Sequence, residues 1–204
     1  MDLLQQKILS EGRVIGSDIL KVDSFLNHQV DPSLMHAIGA EFASIFAGQG
    51  ITKVITIESS GIAPAVFTGL MLGVPVIFAK KTESRNLDTE TYHAAVHSFT
   101  RGGEYIIRVS KRYLTSEDTV LFIDDFLARG RALLGLLEIA GQAGARVAGA
   151  GVVIEKGFQD GGSLIRNMGI RVESLAIIKE MSEEGLITFT DKTTCPTHMK
   201  EEEK

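Results

Sequence analysis

Two adjacent aspartates, Asp124 and Asp125, follow an apolar run in the segment VLFIDDFLARGRA, which covers residues 120–132. Carboxylates at this point can accept hydrogen bonds from sugar hydroxyls or hold a hydrated Mg²⁺ ion. A turn then leads into a predicted helix, whose first N–H groups and positive dipole end suit a phosphate monoester. Gly130 lets the backbone approach such a ligand closely. The alternative is an acidic pair that only caps the helix. The residues of the predicted phosphate turn are Ala128, Arg129, Gly130, Arg131 and Ala132.

Three other polar groups also follow apolar runs. Residues 58–61 can cradle an anion with amides and hydroxyls, or simply cap a helix. Lys80 and Lys81 can neutralise an anion, or be two solvated surface lysines. Lys156 has donors only, so at a binding site it would prefer an oxo group to an amino group; otherwise it is a surface lysine at a strand end. The first group consists of Glu58, Ser59, Ser60 and Gly61.

These residues are positioned by an alternation of strands and helices. Short apolar, β-branched runs predict strands at Lys53–Ile57, Val76–Ala79, Thr119–Ile123, Ala148–Ile154 and Arg171–Ile178. Helical spacing and caps predict helices at 2–11, from Asp31-Pro32 onward, at Gly61–Leu72, near 131–143 and near 160–168. The pattern indicates an α/β fold with a central parallel sheet flanked by helices. Ligands bind at the carboxyl ends of such strands, where the polar groups lie.

Bulk properties limit the function classes. The 204 residues fit one domain, and a net charge of −5 argues against a nucleic-acid partner. The sequence has a single cysteine, Cys195, which is typical of a reducing compartment. It has neither a signal-peptide core nor an apolar run near the ~20 residues that span a membrane. We therefore expect a cytoplasmic protein without a membrane partner. Residues 80–103 form a long polar segment, in which Tyr92–Phe99 and Tyr105–Val109 predict a hairpin. We expect one domain over 1–191 and a disordered tail over 192–204.

The segment around the acidic pair resembles the binding signature for 5-phosphoribosyl-1-pyrophosphate (PRPP) in the type I phosphoribosyltransferases. Through about Ile187 the sequence is similar to the xanthine-using branch of that family. The matching stretches are 20–32, 55–66, 121–130, 151–159 and 170–176. The resemblance implies the type I fold with a small N-terminal hood, mainly 1–30 plus the C-terminal strand region, and a flexible lid or hairpin. It also implies an enzyme of purine salvage that converts xanthine and PRPP to xanthosine 5′-monophosphate and pyrophosphate.

The resemblance further assigns roles to residues. Asp124 and Asp125 would be catalytic, the phosphate turn would bind PRPP, and residues 58–61 with Lys80 and Lys81 would receive pyrophosphate. Mg²⁺ would be carried with PRPP and have no firm protein ligand, and the protein would be a homodimer. The expected xanthine contacts are Leu20, Asn27, Lys156, Phe126 and Phe158. Without the resemblance, Asn27 is an ordinary turn residue, and either phenylalanine can stack on a purine or belong to the core.

The phosphate turn departs from the usual signature. Related sequences often carry Thr or Ser at the position of Arg129, and Gly and Thr at those of Arg131 and Ala132. Backbone donors remain, and the two arginines can add charge-assisted contacts to phosphate. Three alternatives stay open: a PRPP- or purine-sensing transcription regulator on the same scaffold, an inactive paralogue, and an enzyme specific for adenine or for guanine and hypoxanthine.

Overall fold

A computed structural model describes residues 1–81, 90–98 and 103–190. In chain order, the helices are α1 (Asp2–Glu11), α2 (Pro32–Ile45), α3 (Ile62–Leu72), α4 (Arg131–Ala143) and α5 (Gly161–Asn167). The strands are β1 (Arg13–Ile15), β2 (Ile19–Lys21), β3 (Lys53–Ile57), β4 (Val76–Ala79), β5 (Thr91–Ser98), β6 (Gly103–Ser110), β7 (Thr119–Leu127), β8 (Arg146–Lys156), β9 (Val172–Met181) and β10 (Ile187–Phe189). The predicted tail, 192–204, and the parts of the polar segment at 82–89 and 99–102 lie outside the described residues.

The central sheet has six strands in the order β10-β9-β8-β7-β3-β4. The neighbours from β9 to β4 are all parallel, which confirms the predicted α/β architecture. At one edge the predicted parallel sheet gains an antiparallel neighbour, because β10 pairs antiparallel with β9. A short chain reversal after Met181 is enough to add such a strand, whereas a parallel neighbour needs a crossover. The sheet is therefore mixed.

The strand before the phosphate turn is longer than predicted. The sequence predicted its end at Ile123, because aspartate is disfavoured in strands. In the structure β7 continues through the acidic pair to Leu127, and its neighbour β8 pairs with it as far as Glu155. Pairing with β8 overrides the local preference, so both aspartates belong to the strand and not to the turn after it.

Helices and hairpins cover the sheet on both faces. On one face, α1, α2 and the N-terminal segment pack on residues such as Leu121 and Ile123, and Asp31 caps α2 by accepting from the Leu34 N–H at 3.1 Å. On the other face, α4 and the β5–β6 hairpin pack on Val120 and Phe122. Among the described residues no helix is long and apolar enough to cross a membrane.

The segment between α1 and α2 has a structure that the sequence did not predict. Strands β1 and β2 form a small antiparallel hairpin. A π-helical segment, Asp23–Asn27, follows it and buries Phe25 and Leu26 in the core shared with α1 and α2. The Met1 amino group donates to the Leu175 carbonyl at 2.7 Å and ties this hood to β9. Asn27 and Asp18 of the hood contact Asp125 and Lys156, so the hood lies beside the carboxyl ends of β7 and β8.

Candidate active site

One cavity of about 460 Å³ collects eight of the eighteen residues singled out from the sequence. It lies at the carboxyl ends of β7 and β8, as expected for a parallel sheet. Its lining from the predicted site comprises Asp124, Phe126, Lys156 and the whole phosphate turn: Ala128, Arg129, Gly130, Arg131 and Ala132. The structure thus places an acidic group, a phosphate-type turn and a lysine around a single space.

The phosphate turn has the backbone that a close approach requires. Gly130 has φ of +72°, a left-handed conformation that favours glycine, and it directly precedes α4. No side chain caps this helix start, so its first N–H groups lack a side-chain acceptor. Arg129 and Arg131 are both exposed and line the same cavity. The turn therefore combines backbone N–H groups at a helix start with two cations, a combination suited to a phosphate monoester.

The turn rests on the start of α5. The Gly161 N–H donates to the Ala128 carbonyl at 3.1 Å. A side chain at Gly161 would place its Cβ 2.6 Å from the carbonyl carbon of Arg129, and closer still to Ala128 O and Gly130 N. Only glycine lets α5 approach the turn this closely. Sequence reasoning missed Gly161, and the adjacent pair Gly161-Gly162 was the signal that could have indicated a close approach.

The two aspartates face opposite sides of the sheet, because successive residues of a strand alternate. Asp124 is buried, and burial together with the charge of Asp125 raises its pKa well above the usual value. Asp125 points toward the hood, where its Oδ2 accepts from the Asn27 side-chain amide at 2.7 Å. The two carboxylates therefore have different surroundings, one buried under the sheet and one bonded to the hood.

Lys156 and Phe126 end β8 and β7 side by side. The Lys156 ammonium lies 6.0 Å from the Phe126 ring centre and donates to the Asp18 carbonyl at 2.5 Å. Burial lowers the pKa of Lys156, and the nearby Asp18 charge opposes that shift. The half-buried ammonium can donate a hydrogen bond, and the aromatic ring beside it offers a surface for stacking. A planar heterocycle could use both groups.

Residues 58–61 form the turn between β3 and α3. The predicted alternative of a serine cap is not found, since the N-cap of α3 is Gly61 and no side chain caps the helix. Glu58 Oε1 accepts from the Lys81 N–H at 2.6 Å. A Cβ at Gly61 would meet Thr56 Oγ1 and lie 3.3 Å from Asp124 Oδ1, so this turn passes directly beside the acidic pair.

Lys80 and Lys81, which follow β4, place their side chains in different parts of the structure. The Lys81 ammonium lies 5.2 Å from the ring centre of Tyr105, and its charge acts on Asp124. Lys80 exchanges two backbone hydrogen bonds of 2.9 Å with Arg108 and lines a separate cavity of about 530 Å³. Only Lys81 is therefore close to the acidic pair in the described chain.

Three of the five predicted xanthine contacts, Leu20, Asn27 and Phe158, lie outside the cavity lining. Leu20 is buried in the core on the hood side of the sheet, paired with Val14 of β1. Phe158 is 42% exposed, two residues beyond the end of β8. Asn27 donates to Asp125, and the structure brings none of the three side chains into the cavity wall.

Other cavity residues were not predicted. Tyr105 is half-buried, and burial together with the Asp124 charge raises its pKa. His97 lies on the paired strand of the same hairpin, and Asp18 lies in the hood turn. Gln159 follows the end of β8. Histidine and tyrosine in a polar segment were a usable signal, whereas nothing local marked Asp18.

Comparison with known proteins identifies the class. Residues 26–193 match the family model described as "Phosphoribosyl transferase domain". Adenine phosphoribosyltransferase from Thermoanaerobacter pseudethanolicus superposes with a TM-score of 0.68 at 19% identity, over 85% of this chain and 98% of that one. The Giardia lamblia enzyme, solved with 9-deazaadenine, gives a TM-score of 0.70 at 22% identity, over 85% and 96%. The fold and site thus define a type I phosphoribosyltransferase.

Sequence relatives show which phosphoribosyltransferases this chain is most similar in sequence to among those compared. The chain is 59% identical over 191 residues to xanthine phosphoribosyltransferase from Ruminiclostridium cellulolyticum, covering 94% of this chain and 100% of the relative. It is 57% identical over 192 residues to the Oceanobacillus iheyensis protein of the same name, covering 94% and 98%. The chain therefore belongs to the xanthine phosphoribosyltransferase family, a family of pentosyltransferases. The resemblance noted from the sequence is confirmed.

Proposed function

We propose that this chain transfers the 5-phosphoribosyl group of PRPP to xanthine and releases xanthosine 5′-monophosphate and pyrophosphate. The observation that carries the proposal is the single cavity that joins the phosphate turn, Asp124 and Lys156. The spacing of these groups along β7 and β8 matches the parts of a nucleotide: phosphate, sugar and base. Family membership at 59% and 57% identity supports the same reaction.

The phosphate turn would hold the 5′-phosphate through backbone N–H groups at the start of α4. Arg129 and Arg131 would add charge-assisted contacts that replace the hydroxyl donors of related signatures. The exposure of both arginines on the cavity wall supports this role. The departure from the usual signature therefore changes how the phosphate is held and keeps the site functional.

The acidic pair would hold the ribose hydroxyls and offset the positive charge that develops on the sugar. Glu58, Ser59, Ser60 and Gly61, with Lys81, would receive pyrophosphate, because their turn passes beside Asp124. We include Lys80 in the pyrophosphate site only through the family resemblance, since its side chain lines another cavity.

Mg²⁺ fits this arrangement as a companion of PRPP. Burial and the charge of Asp125 raise the pKa of Asp124, so a cation near the pair would relieve unfavourable negative charge. Among residues 1–81, 90–98 and 103–190, no group of three or more His, Cys, Asp or Glu side chains could hold a metal ion. We therefore propose that substrate oxygens and water supply most of its ligands. When bound, the ion would neutralise the leaving pyrophosphate.

The base would lie between Phe126 and Lys156, with the ammonium donating to the 6-oxo oxygen. A group that only donates disfavours an amino group at that position, which argues against adenine. Asn27 offers one donor and one acceptor to the 2-oxo edge of xanthine. Leu20, Asn27 and Phe158 are proposed as base contacts only through the family resemblance, since none of the three lines the cavity.

The reaction would proceed by displacement at ribose C1. A purine ring nitrogen forms its bond to C1 while the bond to the pyrophosphate oxygen breaks, and the purine releases one proton. Positioning and electrostatics suffice for this step, because xanthine is a comparatively acidic purine. The chain's own residues would orient the two substrates and exclude water, with the β5–β6 hairpin covering the cavity through Tyr105 and His97.

We further propose that two copies form a homodimer. Val66 and Leu70 expose 47% and 67% of their surface on one face of α3, and Phe78 exposes 40% on the edge strand β4. Neighbouring exposed apolar side chains of this kind are typical of an interface. Light scattering of the purified chain should give twice the monomer mass of 22.1 kDa. A monomer at micromolar concentration would contradict the proposal.

The reaction is tested by pyrophosphate release from PRPP with xanthine, hypoxanthine, guanine or adenine. We expect the highest kcat/KM with xanthine and the lowest with adenine. Turnover with none of the four would exclude the enzyme and favour an inactive paralogue or a PRPP-sensing regulator. A preference for guanine or hypoxanthine would keep the reaction class and overturn the base assignment.

A further inference from the structure

Thr56 carries a buried hydroxyl that has no hydrogen-bond partner among the residues the structure describes. The residue lies on β3, one position before the strand ends, and it is fully buried. An unpaired polar group of this kind lowers stability, and folded proteins contain few of them. Valine has nearly the same shape and is favoured in strands, so it would fill the position without this cost. The hydroxyl therefore needs an explanation other than packing.

Thr68 is the natural comparison, because it is equally buried and its hydroxyl is paired. It lies in α3, where its Oγ1 donates to the Pro64 carbonyl at 2.8 Å. Burial alone thus does not leave a threonine hydroxyl unpaired in this protein. What distinguishes Thr56 is its place at the end of a strand that leads into the 58–61 turn.

The Thr56 hydroxyl and the Asp124 carboxyl face the same point of that turn. A Cβ at Gly61 would overlap Thr56 Oγ1 and lie 3.3 Å from Asp124 Oδ1. Asp124 Oδ1 accepts from the backbone N–H of Asp125 at 3.0 Å, and a carboxylate oxygen has a second lone pair for a further donor. An unused donor therefore lies near an acceptor that can take one more hydrogen bond.

We infer that Thr56 is a positioning residue, whose hydroxyl donates to Asp124 once PRPP occupies the site. The inference rests on the proposed function, in which Asp124 holds the ribose hydroxyls and the 58–61 turn receives pyrophosphate. In this structure Gly61 packs against the hydroxyl, so a small shift of the turn toward pyrophosphate would open the way to the carboxylate. The new hydrogen bond would orient the Asp124 carboxylate toward the ribose. The hydroxyl would thus be satisfied only in the complex with PRPP.

The kinetic test compares Thr56→Val with Thr68→Val, which removes an equally buried hydroxyl outside the site. Thr56→Val should lower kcat/KM for PRPP by about 10- to 100-fold, the range for a hydrogen bond to a charged group. KM for xanthine should stay within about threefold, because the variant leaves Lys156 and Phe126 unchanged. Thr56→Ser keeps the hydroxyl and should recover kcat/KM for PRPP to within about threefold of the unaltered chain. Thr68→Val should change neither constant by more than about twofold.

Thermal unfolding without substrate separates this role from a structural one. Thr56→Val removes an unpaired hydroxyl, so its Tm should equal or exceed that of the unaltered chain. Thr68→Val removes a hydrogen bond that is already made, so its Tm should fall by about 2–4 °C. A comparable fall in Thr56→Val, or a failure of that variant to fold, would show that the hydroxyl already has a stabilising partner and would overturn the inference.

Stabilisation by PRPP and Mg²⁺ in the absence of a purine gives a readout that does not depend on turnover. The rise in Tm that they cause should be smaller in Thr56→Val than in Thr68→Val by about 3–6 °C, which corresponds to about 10-fold weaker binding. Equal rises, undiminished kcat/KM for PRPP in Thr56→Val, or no recovery in Thr56→Ser would each overturn the inference. No turnover by the unaltered chain with any purine would instead refute the proposed function.

Discussion

Gly161→Ala is the most direct test of how α5 supports the phosphate turn. The added Cβ would lie 2.6 Å from the carbonyl carbon of Arg129, whereas ordinary contacts begin at 3.4 Å. The atoms that it meets are backbone atoms of Ala128–Gly130, which cannot rotate away as a side chain can. Either α5 or the phosphate turn must therefore move by roughly 1 Å. Overpacking of this kind costs about 1–3 kcal/mol.

The expected result is a rise in KM for PRPP of about 10- to 100-fold, because that free energy is taken from the alignment of the turn with the 5′-phosphate. KM for xanthine should change by less than about threefold, since the three atoms nearest the new methyl group all belong to the phosphate turn and none to Lys156 or Phe126. Initial rates of pyrophosphate release, measured over a matrix of PRPP and xanthine concentrations, separate the two constants.

Gly141→Ala is the matched control. Gly141 lies within α4, and a Cβ at this position would meet nothing within 4 Å. This substitution should leave both KM values unchanged and raise stability by about 0.5–1 kcal/mol, because alanine is the better helix former. If Gly161→Ala kept its KM for PRPP within twofold of that of the control, contact between α5 and the turn would not determine phosphate binding.

Three further outcomes follow from the site. Lys156→Ala should lower kcat/KM for xanthine by about 10- to 100-fold and that for adenine much less, since a charged donor to the 6-oxo group is lost; undiminished use of xanthine would refute the assignment. Arg131→Ala should raise KM for PRPP several-fold and weaken its dependence on salt, and an unaltered salt dependence would show that the arginine does not contact phosphate. Glu155→Gln should lower the free energy of unfolding at pH 7 by about 1.5–3 kcal/mol, as judged by urea denaturation. Burial would raise the pKa of Glu155, but hydrogen bonds from Arg166 and Ser174 lower it below 4.5. The difference in unfolding free energy between Glu155→Gln and the unaltered chain should therefore shrink as the pH falls below 4.5. A difference that is constant down to pH 3 would contradict this.

Much of the fold could be predicted from the sequence, because the central elements have strong local signals. Strands β3 and β4 begin and end where predicted, since short β-branched runs bounded by glycine or proline leave little ambiguity. Helix α4 also has its predicted limits, with Gly144 at its end in a left-handed conformation. The edge strand β10 was missed, because three residues carry too little periodicity to be recognised.

Part of the site could also be predicted, because the strands that carry it have strong local signals. Strand ends could be placed at one edge of the sheet, so the phosphate turn, Asp124 and Lys156 were expected together and are found around one cavity. The contributions of Tyr105 and Asp18 depend on how a hairpin and the hood fold back over that edge. Such packing is decided by contacts distant in sequence, which no local pattern encodes.

The extended strand β7 explains how adjacent aspartates can have different roles. If the strand ended at Ile123, both carboxylates would lie in a turn and share one environment. Because β7 continues to Leu127, its alternation continues too: Val120 and Phe122 face the core under α4, whereas Leu121 and Ile123 face the core under the hood. Asp124 therefore faces the side of Tyr105 and Lys81, where sugar and pyrophosphate would bind. Asp125 faces Asn27 of the hood, so a single strand register gives the two carboxylates different surroundings.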